Sequence, residues 1–146
     1  MKYILDTNIL LRLRQPQHEH HQACLTAVTT LKADNHELCI ISQNLYEYWV
    51  VATRPLENNG LGFTVSQAQK DLGQLKSLYS LYPDHPDTFA EWENLINHYQ
   101  IKGKRAHDVR IIAAMLAHEI PIIVTINIQD FEKFTEIQAI SPNSIK

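Results

Sequence analysis

Four short apolar runs, set apart by helical stretches, constrain this chain more than any other feature. "KYILD" (2–6), "ELCIIS" (37–42), "PIIVTI" (121–126) and "EIQAIS" (136–141) each have the length and composition of a buried strand. Between the first two, Cys24, Leu25, Val28 and Leu31 fall on one helical face within 19–33. Ser42 is placed to cap a helix over "QNLYEYWVVATR", and Pro55 ends it. "ENNGLGF" reads as a loop, followed by a helix capped by Thr64 or Ser66. Pro83 and Pro86 bracket a further break before a helix over 87–100, and "HDVRIIAAMLAHEI" reads as a helix buried on most sides past Asp108. Strands separated by helices imply a mostly parallel sheet covered on both faces, a three-layer α/β/α sandwich. At 146 residues the whole chain, 1–146, is expected to be one domain.

The first strand carries an anomaly, Asp6, in the middle of "YILDTNILL". A carboxylate buried alone costs several kcal/mol, on the order of a domain's whole stability. The other acids explain it once they are placed on the layout. Glu47 lies about a turn into the helix leaving the second strand, Asp108 begins the helix returning to the third, and Asn127 and Asp130 follow the third strand. In a parallel sheet these positions share the carboxyl edge, where open α/β sheets bind ligands. Carboxylates crowded there repel one another, and a divalent cation removes the conflict, with hard oxygen donors suiting Mg²⁺ or Mn²⁺. The chemistry such a cage supports is metal-assisted phosphodiester hydrolysis. The plainer readings are a turn or N-cap carboxylate for Asp6, a helix-start residue for Asp108, and turn residues for Asn127 and Asp130.

These residues resemble a known family. "YILDTNILL", Glu47 within "NLYEYWVVATRP", "NNGLG", "AHDVRIIAAML" and "VTINIQDF", in that order, look like the PIN-domain ribonucleases, which include the VapC-type toxins. The resemblance implies an α/β/α fold and Mg²⁺- or Mn²⁺-dependent cleavage of single-stranded RNA. It implies a catalytic and metal-binding triad of Asp6, Glu47 and Asp108. The family's fourth acidic position falls on Asn127, a departure for which Asp130 is the candidate substitute. Asn8 matches a polar position that orients the first aspartate or the phosphate. A cognate antitoxin protein and a homodimer are the partners implied.

Other features carry less. "KGKR" (102–105) offers Lys104 and Arg105 as a basic lip for an RNA backbone, and Arg54 as a further phosphate contact; an exposed turn and a helix-end cation are the plain alternatives. "HEHH" (18–21) suggests zinc, but no second ligand pair recurs. His107 reads as a structural hydrogen-bond former, and Trp49, Trp92, Tyr79 and Tyr82 as core or dimer contacts. Two cysteines, Cys24 and Cys39, indicate small core residues in a reducing compartment. Without a signal-like segment or a run of ~18 apolar residues, a soluble cytoplasmic protein with no membrane contact is expected. A net charge of −3 argues against a general nucleic-acid coat but not against one local groove. Two rival functions remain on sequence grounds. One is an aspartyl-nucleophile phosphatase built on "DTN", and the other a non-catalytic module of the same fold that binds RNA or protein.

Overall fold

The computed structural model describes residues 1–146. Its elements run β1 (Lys2–Leu5), α1 (Thr7–Leu13), α2 (His21–Ala33), β2 (Glu37–Ile41), α3 (Ser42–Thr53), α4 (Val65–Leu78), β3 (Ser80–Tyr82), α5 (Thr88–His98), α6 (Arg105–Asp108), α7 (Arg110–Ala117), β4 (Ile122–Val124) and β5 (Gln138–Ile140). The strands form one sheet in the order β3-β2-β1-β4-β5, every pairing parallel. β1 is central, with Ile4 opposite Cys39 on one side and Ile123 on the other.

Strand alternation sends neighbouring side chains to opposite faces and splits the core in two. Leu5, Leu38, Ile40 and Val124 pack with Ile9, Leu10, Val28, Tyr48 and Leu75 of α1–α4. Ile4, Cys39, Ile41 and Ile123 pack with Leu95 of α5 and Ile111, Ile112 and Met115 of α7. The three-layer α/β/α arrangement is therefore present. No helix is long and apolar enough to cross a membrane.

Several local expectations change. The first strand stops at Leu5, one residue short of the expected 2–6; Asp6 caps α1, its carboxylate accepting the Thr7 N–H at 2.8 Å, and "TNILLRL", for which the sequence pattern predicts no helix, is helical. A fifth strand, Ser80–Tyr82, lies at the sheet edge, where three mostly exposed residues give no alternating apolar signal. Ser42 is the first helical residue of α3 rather than its cap, and the Asn44 side chain accepts the Ile41 N–H at 2.8 Å. The helix expected from Asp108 onward is interrupted at Val109, so Asp108 closes the short α6 and Val109 alone separates it from α7. Thr64 does cap α4, reciprocally with Gln67. After Pro55 the chain folds back on the end of α3, with Leu61, Gly62 and Phe63 N–H groups donating to carbonyls of Val51, Arg54 and Ala52. A Cβ at Gly60 would lie 1.9 Å from the Arg54 carbonyl oxygen, so only glycine fits that return.

Away from the sheet edge, Asp71 of α4 is 5% exposed. Its carboxylate takes the Arg14 guanidinium at 2.9 Å and the Tyr48 hydroxyl, joining α1, α3 and α4.

Candidate active site

The carboxyl ends of β1, β2 and β4 open onto a cavity of about 170 Å³ whose lining includes Asp6, Asn8, Glu47, Asp108, Asn127 and Asp130. Each arrives by a different route. Asp6 leaves the tip of β1, Glu47 reaches in from the second turn of α3, and Asp108 stands at the α6–α7 junction. Asn127 precedes the turn Ile128–Asp130 after β4, and Asp130 ends it. Arg105 and Gln43 complete the polar lining.

The β1–β4 side of this nest is closely bonded. Thr125 Oγ1, fully buried, donates to Asp6 Oδ2 at 2.7 Å, and Asn8 Nδ2 stands 3.3 Å from the same oxygen. The Asn127 N–H donates to Thr125 Oγ1 at 3.0 Å. From α3, Glu47 Oε1 takes the Thr7 hydroxyl at 2.7 Å, Thr7 Oγ1 in turn accepts Asn44 Nδ2 at 3.1 Å, and Gln43 Nε2 reaches Glu47 Oε2 at 3.3 Å. Thr7, Gln43, Asn44 and Thr125 thus orient two carboxylates. Sequence reasoning missed all four, although Thr7 and Thr125 flank the strand ends where Asp6 and Asn127 were placed.

Burial is the largest influence on Asp6 and pushes its pKa up to about 6 from an ordinary 3.8. The Thr125 hydroxyl and the Thr7 N–H pull the other way, while the charges of Glu47 and Asp130 push it higher still. No cation stands against Asp6. Arg105, the one cation lining the cavity, is engaged elsewhere: Nη1 is 3.5 Å from Asp108 Oδ2, and Nη2 donates to the Asp130 carbonyl at 3.1 Å. Asp108, Asn127 and Asp130 are exposed, unlike Asp6 and Glu47.

No three His, Cys, Asp or Glu side chains stand in a ready-made ligand geometry. The donor chemistry still fits a hard divalent cation: four carboxylates and three amides around one small cavity, one carboxylate desolvated and without a cation beside it. The "HEHH" residues do not form a site. His18 Nδ1 accepts the His20 N–H at 3.1 Å, and His21 Nδ1 lies 2.9 Å from the Arg12 carbonyl. Of the basic residues singled out in sequence, Arg105 lines the cavity, whereas Lys104 is exposed outside its lining. Arg54 also lies outside it, at the far end of α3, with Nη2 on the Asn59 carbonyl at 3.2 Å, where it braces the return loop.

A family model described as "PIN domain" matches residues 3–136. A chain in the crystal structure of VapBC2 from Rickettsia felis, bound to a DNA fragment from their promoter, superimposes with a TM-score of 0.70 at 20% identity, covering 97% of this chain and 98% of that one. VapBC-1 from nontypeable Haemophilus influenzae gives 0.68 at 17% identity over 97% and 98%. A toxin–antitoxin complex from Klebsiella pneumoniae gives 0.65 at 20% identity over 96% and 97%. Comparison with curated protein sequences finds no match.

Proposed function

This chain belongs to the PIN-domain family, and on that premise we propose that it is a metal-dependent endoribonuclease hydrolysing phosphodiester bonds of single-stranded RNA, the toxin of a toxin–antitoxin pair. The observation that carries the reading is the unpaired, desolvated Asp6 in a cavity shared with Glu47, Asp108 and Asp130. A fold does not keep such a charge at its sheet edge for stability. Asp6, Glu47 and Asp108 are the residues that would hold Mg²⁺ or Mn²⁺, with Asp130 and Asn127 bordering them. The bound ion supplies an activated water and charge stabilisation at the phosphoryl group.

The chain's own part is orientation. Thr125 and Thr7 fix the Asp6 and Glu47 carboxylates through short hydrogen bonds, Asn8 braces Asp6, and Arg105 brings a guanidinium to a cavity that must accept an anionic strand. A protein antitoxin as partner is supported by the toxin–antitoxin complexes among the structural neighbours. A second copy of the chain is the other partner proposed, and Tyr46 and Val50, 66% and 56% exposed on α3 beside Glu47, are apolar surface available to either.

The test is cleavage of a long single-stranded RNA by the purified chain with Mn²⁺. EDTA and Asp6→Asn should each abolish cutting while circular dichroism stays native. Cutting at the parent rate by folded Asp6→Asn protein would sink the reading. Asn127 at the fourth position, and Asp108 tied to Arg105, favour one rival: a module that grips RNA without turnover. Metal-independent RNA binding with no products would support it. The phosphatase alternative loses its footing, because no lysine lines the cavity.

A further inference from the structure

A second cavity of about 220 Å³ adjoins the acidic one, and Gln43 lines both. It lies between the start of α3, the start of α5 and the two ends of α7, and none of the proposed metal-binding residues lines it. We infer that this cavity is a subsite for one nucleobase of the RNA strand, selecting bases that carry an exocyclic amino group. The inference rests on the RNA reading of the adjoining nest.

The hydrogen-bonding inventory supports a base rather than a phosphate. His118 Nε2 is 2.8 Å from the Pro83 carbonyl, which only accepts, so Nε2 carries the hydrogen and Nδ1 keeps its lone pair. His85 Nδ1 accepts the Asp87 N–H at 3.0 Å, which leaves the hydrogen on Nε2 as a donor. The two rings meet edge to face at 5.0 Å, and Tyr82 holds His118 from another side at 5.1 Å, so their positions are fixed. Thr88 lines this cavity, and its buried Oγ1 has no hydrogen-bond partner, a state that native hydroxyls rarely keep. Asp84 adds a carboxylate that joins none of the chain's ion pairs.

Donors and acceptors are therefore mixed within one small space. A phosphate needs donors alone and would meet Asp84 unfavourably. A base edge presents both kinds of group, and a carboxylate takes an amino hydrogen. Adenine, cytosine and guanine offer that amino group; uracil does not. Arg110, whose Nε donates to the His107 carbonyl, follows Asp108 by two residues and lines the base cavity, so its remaining guanidinium donors are available to the linking phosphate.

Two measurements test this. In the parent chain freed of metal by EDTA, titration with AMP, CMP, GMP and UMP is followed by the NMR signals of the His85 and His118 rings. Both rings should shift with the first three and several-fold less with UMP. Equal response to all four, or none, overturns the proposal, and this arm is independent of catalysis. In the second, His85→Ala/Thr88→Val protein is compared with the parent for RNA cleavage and Mn²⁺ binding. A fall in kcat/KM of about tenfold, with a flattened base preference beside the cut and unchanged Mn²⁺ affinity, is expected. Parent-like rate and cleavage pattern in the variant overturn the subsite while leaving the nuclease intact. A parent that cuts nothing overturns the nuclease instead, and the nucleotide titration then decides the cavity alone.

Discussion

Two carboxylates of this chain are taken out of water, and they are treated in opposite ways. Asp71, in the layer of α1, α3 and α4, receives a guanidinium from Arg14 and a hydroxyl from Tyr48. Asp6, at the sheet edge, receives only a hydroxyl, an amide and a backbone N–H, and is set among other acids. The same helix, α1, begins at one and leads to Arg14 of the other. The fold can thus bring a cation to a buried acid, and at the edge it does not. That difference separates a carboxylate that holds the protein together from one proposed above to hold a ligand.

The largest test of this contrast removes the charge at each place. Asp6→Asn should lower RNA cleavage by about 10³-fold or more, since a metal site contributes several kcal/mol of charge stabilisation. The same change should strengthen the metal-free fold. Below about pH 3 Asp6 is neutral folded or unfolded. As pH rises toward 6 the unfolded chain ionises while the folded one resists, so stability is lost through that window. Urea titrations of metal-free protein should therefore show parent and variant alike at pH 3. By pH 7.5 the variant should be up to about 3 kcal/mol more stable, with a melting temperature roughly 8 °C higher. A less stable Asp6→Asn protein at pH 7.5 would break the comparison.

Asp71→Asn should do the reverse. It should lose about 2 kcal/mol, tempered because Arg14 is half exposed and can return to water, with no change in cleavage per folded molecule. Next in size, Thr125→Val removes the shortest bond holding Asp6 and should weaken Mn²⁺ binding by about tenfold in calorimetry. Smallest is Arg105→Ala. The pair with Asp108 is substantially exposed, and its loss should move stability by less than about 0.5 kcal/mol in a thermal melt.

Much of this was legible in the sequence, for reasons particular residues show. Asp6 stood out because it interrupts an apolar run, and Glu47, Asp108, Asn127 and Asp130 could be brought to it once the strands were taken as parallel. What escaped detection is either short or polar. Ser80–Tyr82 is an edge strand with one face of the sheet to hide behind and no pattern to betray it. Thr7 and Thr125 look like ordinary turn residues, and only tertiary pairing makes them supports of a carboxylate. Arg14 and Asp71 are 57 residues apart, so nothing local announces their ion pair.

The position of β1 has a consequence for how the molecule comes into being. The bond between Thr125 and Asp6 spans 119 residues, and the first strand lacks one of its two neighbours until β4 has been made. During synthesis the amino-terminal segment therefore emerges with its central strand flanked on one side only, and Asp108, Asn127 and Asp130 join the sheet edge after α3 has been made. Completing the cavity thus depends on contacts among the most sequence-distant in the molecule, the kind that form slowly.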